Sequence, residues 1–393
     1  MEFRPYYLAT QWQKQGNNVM IIGGSFSHLR HHNPQHKNKV FYEKIDGVQY
    51  VWLKTNSYSG NGAKRVLSMF AFVLRLFVNG PDILRKFNPD LIIASSTYPL
   101  ENFPIYWLAR KFKSKYCYEV HDLWPLSPME LGGMSRYHPF ILLMQWAENY
   151  GYKNSDFVVS MLPLALPHMI LHGLDPRKFN YIPNGIMVDD WKRYEVPQDH
   201  VNAIEKIRNK GKTIIGYAGG HAISNALEFL IEAASLTQQT AADLHFVLVG
   251  KGAEKENLIK LSNNLNLKNV LFLDPVRKNE IPGLLAAMDI LYLGWRQNPL
   301  YRFGISPNKL LDYMMSGKPI VHSVNAGNDI VKEAGCGISV PAEQPVEIVR
   351  AFLEISQMGK SEQLRLGENG RNFALKNYDY EKLARAFLLN TKL

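Results

Sequence analysis

Lys309 and Asp312 lie one helical turn apart, just after the run Phe303-Gly304-Ile305-Ser306-Pro307-Asn308. Gly304 supplies a turn, Ser306 or Asn308 can cap a helix, and Pro307 suits its first turn. Leu310, Leu311 and Met314 give that helix an apolar face. Gly317 ends it, and 319–321 open a strand. Backbone N–H groups and the dipole at such a helix start attract phosphate, and Lys309 adds a mobile positive charge. The Asp312 carboxylate can accept hydrogen bonds from two sugar hydroxyls. Read without context, a solvated lysine and aspartate on an ordinary core helix fit equally well.

Other candidates stand where strand-like runs end. His121-Asp122 follows the run 116–120, and histidine can give or take a proton near neutral pH. Gly219-Gly220 follows 213–218, and Gly250-Lys251-Gly252 follows 244–249. Glycine lets a backbone approach an anion closely. Pro183-Asn184-Gly185 is a turn ahead of a polar stretch. His28, His31, His32 and His36 lack rigid spacing and read as a mobile polar loop rather than a zinc site. No Asp-x-Asp pair stands on any loop, so no metal and no cofactor is expected beyond the substrates.

To place these residues at strand ends, strands must alternate with helices. They do so twice, around a polar stretch at 189–212. That pattern predicts an α/β protein of two doubly wound parallel sheets, with domains at 1–190 and 191–393 and a terminal helix, 380–393, that returns to the first. Asp46-Gly47 between 40–42 and 48–53 predicts a hairpin. Residues 63–79 read as a helix with Lys64, Arg65 and Arg75 beside Leu67, Phe70, Leu74 and Phe77. The spacing of Phe3, Tyr7, Leu8 and Trp12 puts the chain's opening residues inside a helix, ahead of the first strand-like run at 19–23. A doubly wound domain opens on a strand, so a missing first strand is expected in the N-terminal domain, with a less stable and less active chain as its consequence.

The 303–321 segment resembles the nucleotide-sugar loop and helix of the family-4 retaining glycosyltransferases of the GT-B fold. It is most similar to the branch that builds bacterial surface polysaccharide such as O-antigen and capsule, whose members carry Ser-Pro-Asn-Lys-Leu-x-Asp/Glu-Tyr-Met. The resemblance extends over nearly the whole chain. It implies two Rossmann-like domains facing across a cleft, and a metal-independent, hexosyltransferase-type enzyme. The donor would be a UDP-sugar, N-acetylated or deoxy sugars among the candidates, and the acceptor a polyprenyl-diphosphate-linked saccharide. By the same resemblance His121 lies beside the donor sugar and Lys309 stabilises the leaving diphosphate, as the two catalytic groups. Gly219, Gly220, Lys251, Gly304, Ser306, Asn308 and Asp312 bind the donor, and Glu2, Arg4 and Asp122 line the acceptor side. The chain departs from the family in two places. Gly220 stands where many members have arginine and Asn225 where they have lysine, so the usual diphosphate clamp passes to Lys309 and Lys251. No second, earlier carboxylate precedes the helix.

Composition narrows the remaining choices. The 393 residues are 46% hydrophobic and carry a net charge of +10, which suits phosphorylated substrates or an anionic membrane surface. No nucleic-acid signature is present. Cys117 and Cys336, the only cysteines, read as buried thiols of a reducing compartment. No signal peptide opens the chain, and the longest apolar run, 66–78, is broken by Arg75 and too short to span a bilayer. A cytoplasmic protein, peripheral on the inner face of the cell membrane, is the expectation. Two other readings fit the same fold: a nucleotide-sugar epimerase, and a non-catalytic protein that binds a glycan or a partner.

Overall fold

The computed structural model describes residues 3–390 apart from 28, 29, 31, 32, 37, 59, 61, 193, 241 and 242. Glu2, His28, His31 and His32 lie outside the described residues. The chain forms two compact units, one of residues 1–184 with 380–393 and one of residues 185–379. The polar stretch 189–212 therefore belongs to the second unit.

In the first unit, strands β1 (Met20–Gly24), β2 (Val40–Ile45) and β3 (Val48–Leu53) form a sheet in the order β1-β3-β2. β1 and β3 run parallel, and β2 and β3 form an antiparallel hairpin. Asp46 and Gly47 turn that hairpin with φ of 48° and 89°, the left-handed values that such a turn requires. A separate parallel sheet follows, β4 (Leu91–Ala94), β5 (Lys115–Val120), β6 (Phe157–Ser160) and β7 (Phe179–Tyr181), in sequence order. Among the described residues β1 and β4 are each paired on one side only. Met20 and Ile22 of β1 and Ile92 of β4 nevertheless pack on one core with Phe72, Leu76, Ile83, Leu84 and Leu108. The terminal helix Tyr380–Asn390 lies on the opening helix Phe3–Lys14, where the Trp12 indole donates to the Ala384 carbonyl at 2.9 Å.

The helix expected over 63–79 runs on to Phe87 through Pro81. An interior proline costs about 3 kcal/mol or more. The second half of the helix offsets this by burying Ile83 and Leu84 in the core. Gly80 is part of the same fit, because a Cβ there would stand 2.8 Å from Leu108. By length and composition this helix could cross a membrane, yet its Met69, Phe72 and Leu76 face is buried in the unit.

The second unit is a single six-stranded sheet. β8 (Thr213–Ala218), β9 (Leu244–Val249), β10 (Val270–Leu273), β11 (Ile290–Gly294), β12 (Ile320–Ser323) and β13 (Gly337–Val340) lie in the order β10-β9-β8-β11-β12-β13. Every pairing is parallel. Apolar clusters cover both faces, as a parallel sheet requires.

Candidate functional site

The carboxyl ends of β8 and β9 bring the two glycine turns of the second unit together. The Gly219 N–H donates to the Val249 carbonyl at 2.9 Å, and the His221 N–H to the Lys251 carbonyl at 2.9 Å. A Cβ on Gly250 would fall on the Gly219 carbonyl, and one on Gly252 on the His221 backbone. Only glycine lets the two turns close on each other. Gly219 also lies against the Lys309 side chain, whose Cδ would stand 2.6 Å from an added Cβ. Lys251 is exposed at the tip of its turn.

Lys309 sits in the first turn of the helix Asn308–Met315. That helix begins after Pro307 without a side-chain cap, so Ser306 and Asn308 do not cap it. Gly304 turns the chain beforehand with φ 93°. The Ile305 N–H donates to Asn328 Oδ1 at 2.7 Å, which holds the loop to the body of the unit. Gly304 is buried, Ser306 half-buried and Asn308 exposed. The Lys309 ammonium donates to the Tyr217 hydroxyl at 2.9 Å and to Asn225 Oδ1. It lies 4.9 Å from the Tyr217 ring centroid and 6.0 Å from that of Trp295. No carboxylate pairs with it among the described residues, and burial pushes its pKa down to about 8. A half-buried cation with neutral partners beside glycine turns is short of an anion. Asn225, where the resemblance has lysine, also donates to the Gly220 carbonyl at 2.8 Å, and so ties the glycine turn to the lysine.

Asp312 is one turn further along. Its carboxylate is 4.0 Å from Lys278 Nζ. Burial raises its pKa, Lys278 and a hydrogen bond from Trp191 oppose that rise, and Asp190 adds to it. Trp191 and Asp190 come from the short 3-10 turn Val188–Trp191, where the polar stretch 189–212 begins. The neighbouring Arg277 pairs with Glu195 and Glu280.

In the first unit His121 stands at the end of β5. Its Nε2 lies 2.9 Å from the Ser95 hydroxyl and 3.3 Å from Glu119 Oε2. Glu119 is buried and accepts from Arg4 Nε at 3.0 Å. Arg4, expected on the acceptor side, is itself buried and donates to the Ile182 carbonyl at 2.9 Å and to that of Pro183. It is linked to His121 through Glu119 and ties Ile182 and Pro183 to β5. Burial opposes ionisation of Glu119, but Arg4, His121 and Ser95 together hold its pKa well below the usual carboxylate range. Asp122 is exposed, and Trp124-Pro125 is a cis peptide. His36 bonds through Nδ1 with the Asn38 carbonyl at 2.8 Å and stacks on Phe41, and among the described residues it belongs to no metal-like grouping.

Glu101, which the sequence reading passed over, accepts from the Ser96 N–H at 2.7 Å on the loop after β4. Burial pushes its pKa from 4.5 up to about 7, against the Ser96 hydrogen bonds and the nearby His121 charge. Between those two values the folded chain keeps a proton that the unfolded chain has lost. Its contribution to stability is fully present below the lower value and is lost as pH rises through the upper one, a change of about 3 kcal/mol. Urea unfolding at about pH 5 and about pH 8 checks this: Glu101→Gln should remove about 3 kcal/mol of the drop between them. An unaltered drop in the variant would show that Glu101 is not its source.

His221 was also missed. Its ring is buried beside Tyr217 and Phe272, with neither nitrogen hydrogen-bonded. Burial lowers its pKa to about 4, with the Lys255 and Lys309 charges adding to the effect. Its one sequence signal was its place directly after Gly219-Gly220. Ser95 and Glu119 gave no signal, since each is distant from Arg4 in the chain.

Comparison with known proteins points to one class. The family model "Glycosyl transferase 4-like domain" matches residues 1–185, and "Glycosyl transferases group 1" matches residues 212–358. The chain is 22% identical to the probable glycosyltransferase WbjE of Pseudomonas aeruginosa, over 82% of this chain and 78% of that protein. It is 24% identical to the alpha-D-kanosaminyltransferase of Streptomyces kanamyceticus over 53% of each, so it spans about half that relative's length. Among solved structures, Anabaena Alr3699/HepE in complex with UDP and glucose matches with a TM-score of 0.63 and 16% identity, over 88% of this chain and 86% of that one. Taken together, residues 1–185 resemble a glycosyl transferase 4-like domain and residues 212–358 a glycosyl transferases group 1 domain, and the fold is that of the GT-B neighbours.

Proposed function

We propose that this protein transfers a sugar from a UDP-sugar to a lipid-linked saccharide, with retention of configuration and without a metal at the diphosphate, in the synthesis of surface polysaccharide. The observation that carries the reading is Lys309: a half-buried ammonium at a helix start, packed on Gly219, with only neutral partners. A leaving diphosphate supplies the missing anion. Charge that grows on it during bond cleavage is stabilised most by donors already in place. Asp312 takes the ribose hydroxyls, and Gly304 with the start of the 308–315 helix meets the sugar-phosphate. His121, fixed by Ser95 and the Glu119–Arg4 pair, is the imidazole to which the family resemblance gives positioning of the sugar. The acceptor proton passes to the departing diphosphate in a same-face transfer. UDP named in neighbouring structures supports the choice of base and diphosphate, and the WbjE relative supports the glycosyltransfer.

The ribose contact is testable alone. Asp312→Ala should weaken UDP binding by about 1.5–3 kcal/mol, the value of a charge-assisted hydrogen bond, read by calorimetry. UDP affinity equal to that of the unsubstituted chain would remove Asp312 from the site.

A place at the membrane follows from the helix Ala63–Phe87. Leu67, Phe70, Leu74 and Val78 are exposed along it, beside Lys64, Arg65 and Arg75, the pattern of a helix resting on anionic lipid. Vesicle co-sedimentation should show more protein on anionic than on neutral vesicles, and less at high salt. Equal pelleting on both would exclude this surface.

A further inference from the structure

On the elements before and after β6, three metal-ligating side chains converge. Glu148 is on the helix Pro139–Asn154, His168 on the short helix Leu166–Leu171, and His172 directly follows that helix. One ligand atom of each lies within 4.8 Å of the others. The two histidines are four apart and so share one side of their turn, with ring centroids 4.5 Å apart. Glu148 has no exposed surface, and its carboxylate accepts from Gln145 Nε2 at 2.8 Å and the Tyr152 hydroxyl at 3.0 Å. Neither donor carries charge, and no lysine or arginine pairs with it among the described residues. Gln145 Nε2 also approaches Asn149 Oδ1 at 2.7 Å and His172 Nδ1 at 2.9 Å. An amide has two protons, so three acceptors around one nitrogen leave one of them without a hydrogen. The cluster is thus rich in acceptors and short of positive charge.

We propose that Glu148, His168 and His172 form a divalent-metal site, with zinc as the ion that their chemistry selects. Two imidazoles and one carboxylate are a standard zinc donor set, with the fourth tetrahedral position left to water. Zinc bonds of this kind put ligand atoms roughly 3.3 Å apart, so small side-chain rotations close the site. The ion ties the helix before β6 to the turn after it and neutralises the buried carboxylate. It has no part in the donor chemistry of the second unit. No zinc spacing is legible in the sequence because the carboxylate comes from a different helix and the histidine pair alone is unremarkable.

Zinc added to the full chain, stripped with chelator and desalted, tests the proposal. The chain should retain one equivalent against a colorimetric chelator and melt at a higher temperature with zinc than without. Cobalt in its place should give the strong visible bands of a four-coordinate ion. His168→Gln and His172→Gln should each lose the retained equivalent, the bands and the melting shift, with circular dichroism showing both variants folded. Glu148→Gln should do the same and provides a third reading. Replacing His28, His31, His32 and His36 together by glutamine should change none of these. No retained zinc in the unsubstituted chain would overturn the proposal, as would full retention in His168→Gln and His172→Gln or loss only in the loop variant.

Discussion

Lys309→Ala should lower kcat/KM for the donor by about 10²–10³-fold, the loss seen when one preorganised donor to a developing negative charge is removed, about 2.7–4 kcal/mol. Most of the loss should fall on kcat, because the ammonium is worth more once charge builds on the leaving diphosphate. Its lowered pKa of about 8 adds a signature. As pH rises through that value the free protein loses the cation, so kcat/KM should fall on the alkaline side. Lys309→Ala should lack that limb. Steady-state rates across pH, with UDP binding followed in parallel, decide the matter. A variant with an unchanged rate, or one that keeps the alkaline limb, would take Lys309 out of the chemistry.

Arg4→Met should destabilise the first unit by about 3–5 kcal/mol, since it leaves the buried Glu119 carboxylate without its cation. At about 2–4 °C per kcal/mol for a domain of this size, the melting temperature should fall by roughly 6–20 °C. Adding Glu119→Gln should recover part of the loss, because the uncompensated charge is then gone. A melting temperature equal to that of the unsubstituted chain would mean that Arg4 contributes nothing net. His121 is coupled to this pair through Glu119, so sugar transfer in Arg4→Met measured below its melting temperature also reports on the orientation of the imidazole.

Local pattern carried much of this architecture. Alternating apolar runs marked the strands, Asp46-Gly47 marked the hairpin, and within the second unit the strand ends marked the two glycine turns that close on each other at Gly219 and Gly250. Four features lay beyond local pattern for physical reasons. The helix expected over 63–79 continues through Pro81 to Phe87, because the burial of Ile83 and Leu84 overrides the proline. Arg4 read as a surface or acceptor residue, because nothing near it in the chain announces Glu119 or the Ile182 and Pro183 carbonyls. Asn225 read as a lost cation, whereas in space it accepts from Lys309 and donates to Gly220. The pairing of Asp312 with Lys278 and Trp191 likewise depends on how the 188–191 turn folds back, which spacing does not encode.

The most direct test of the central claim is product analysis with a UDP-sugar, in the presence and absence of a polyprenyl-diphosphate-linked saccharide. The account predicts free UDP only when the acceptor is present, together with a matching gain of one sugar on the lipid. A changed sugar still attached to UDP would establish an epimerase instead. No change in donor or acceptor across a panel of UDP-sugars would contradict glycosyl transfer and leave a protein that only binds.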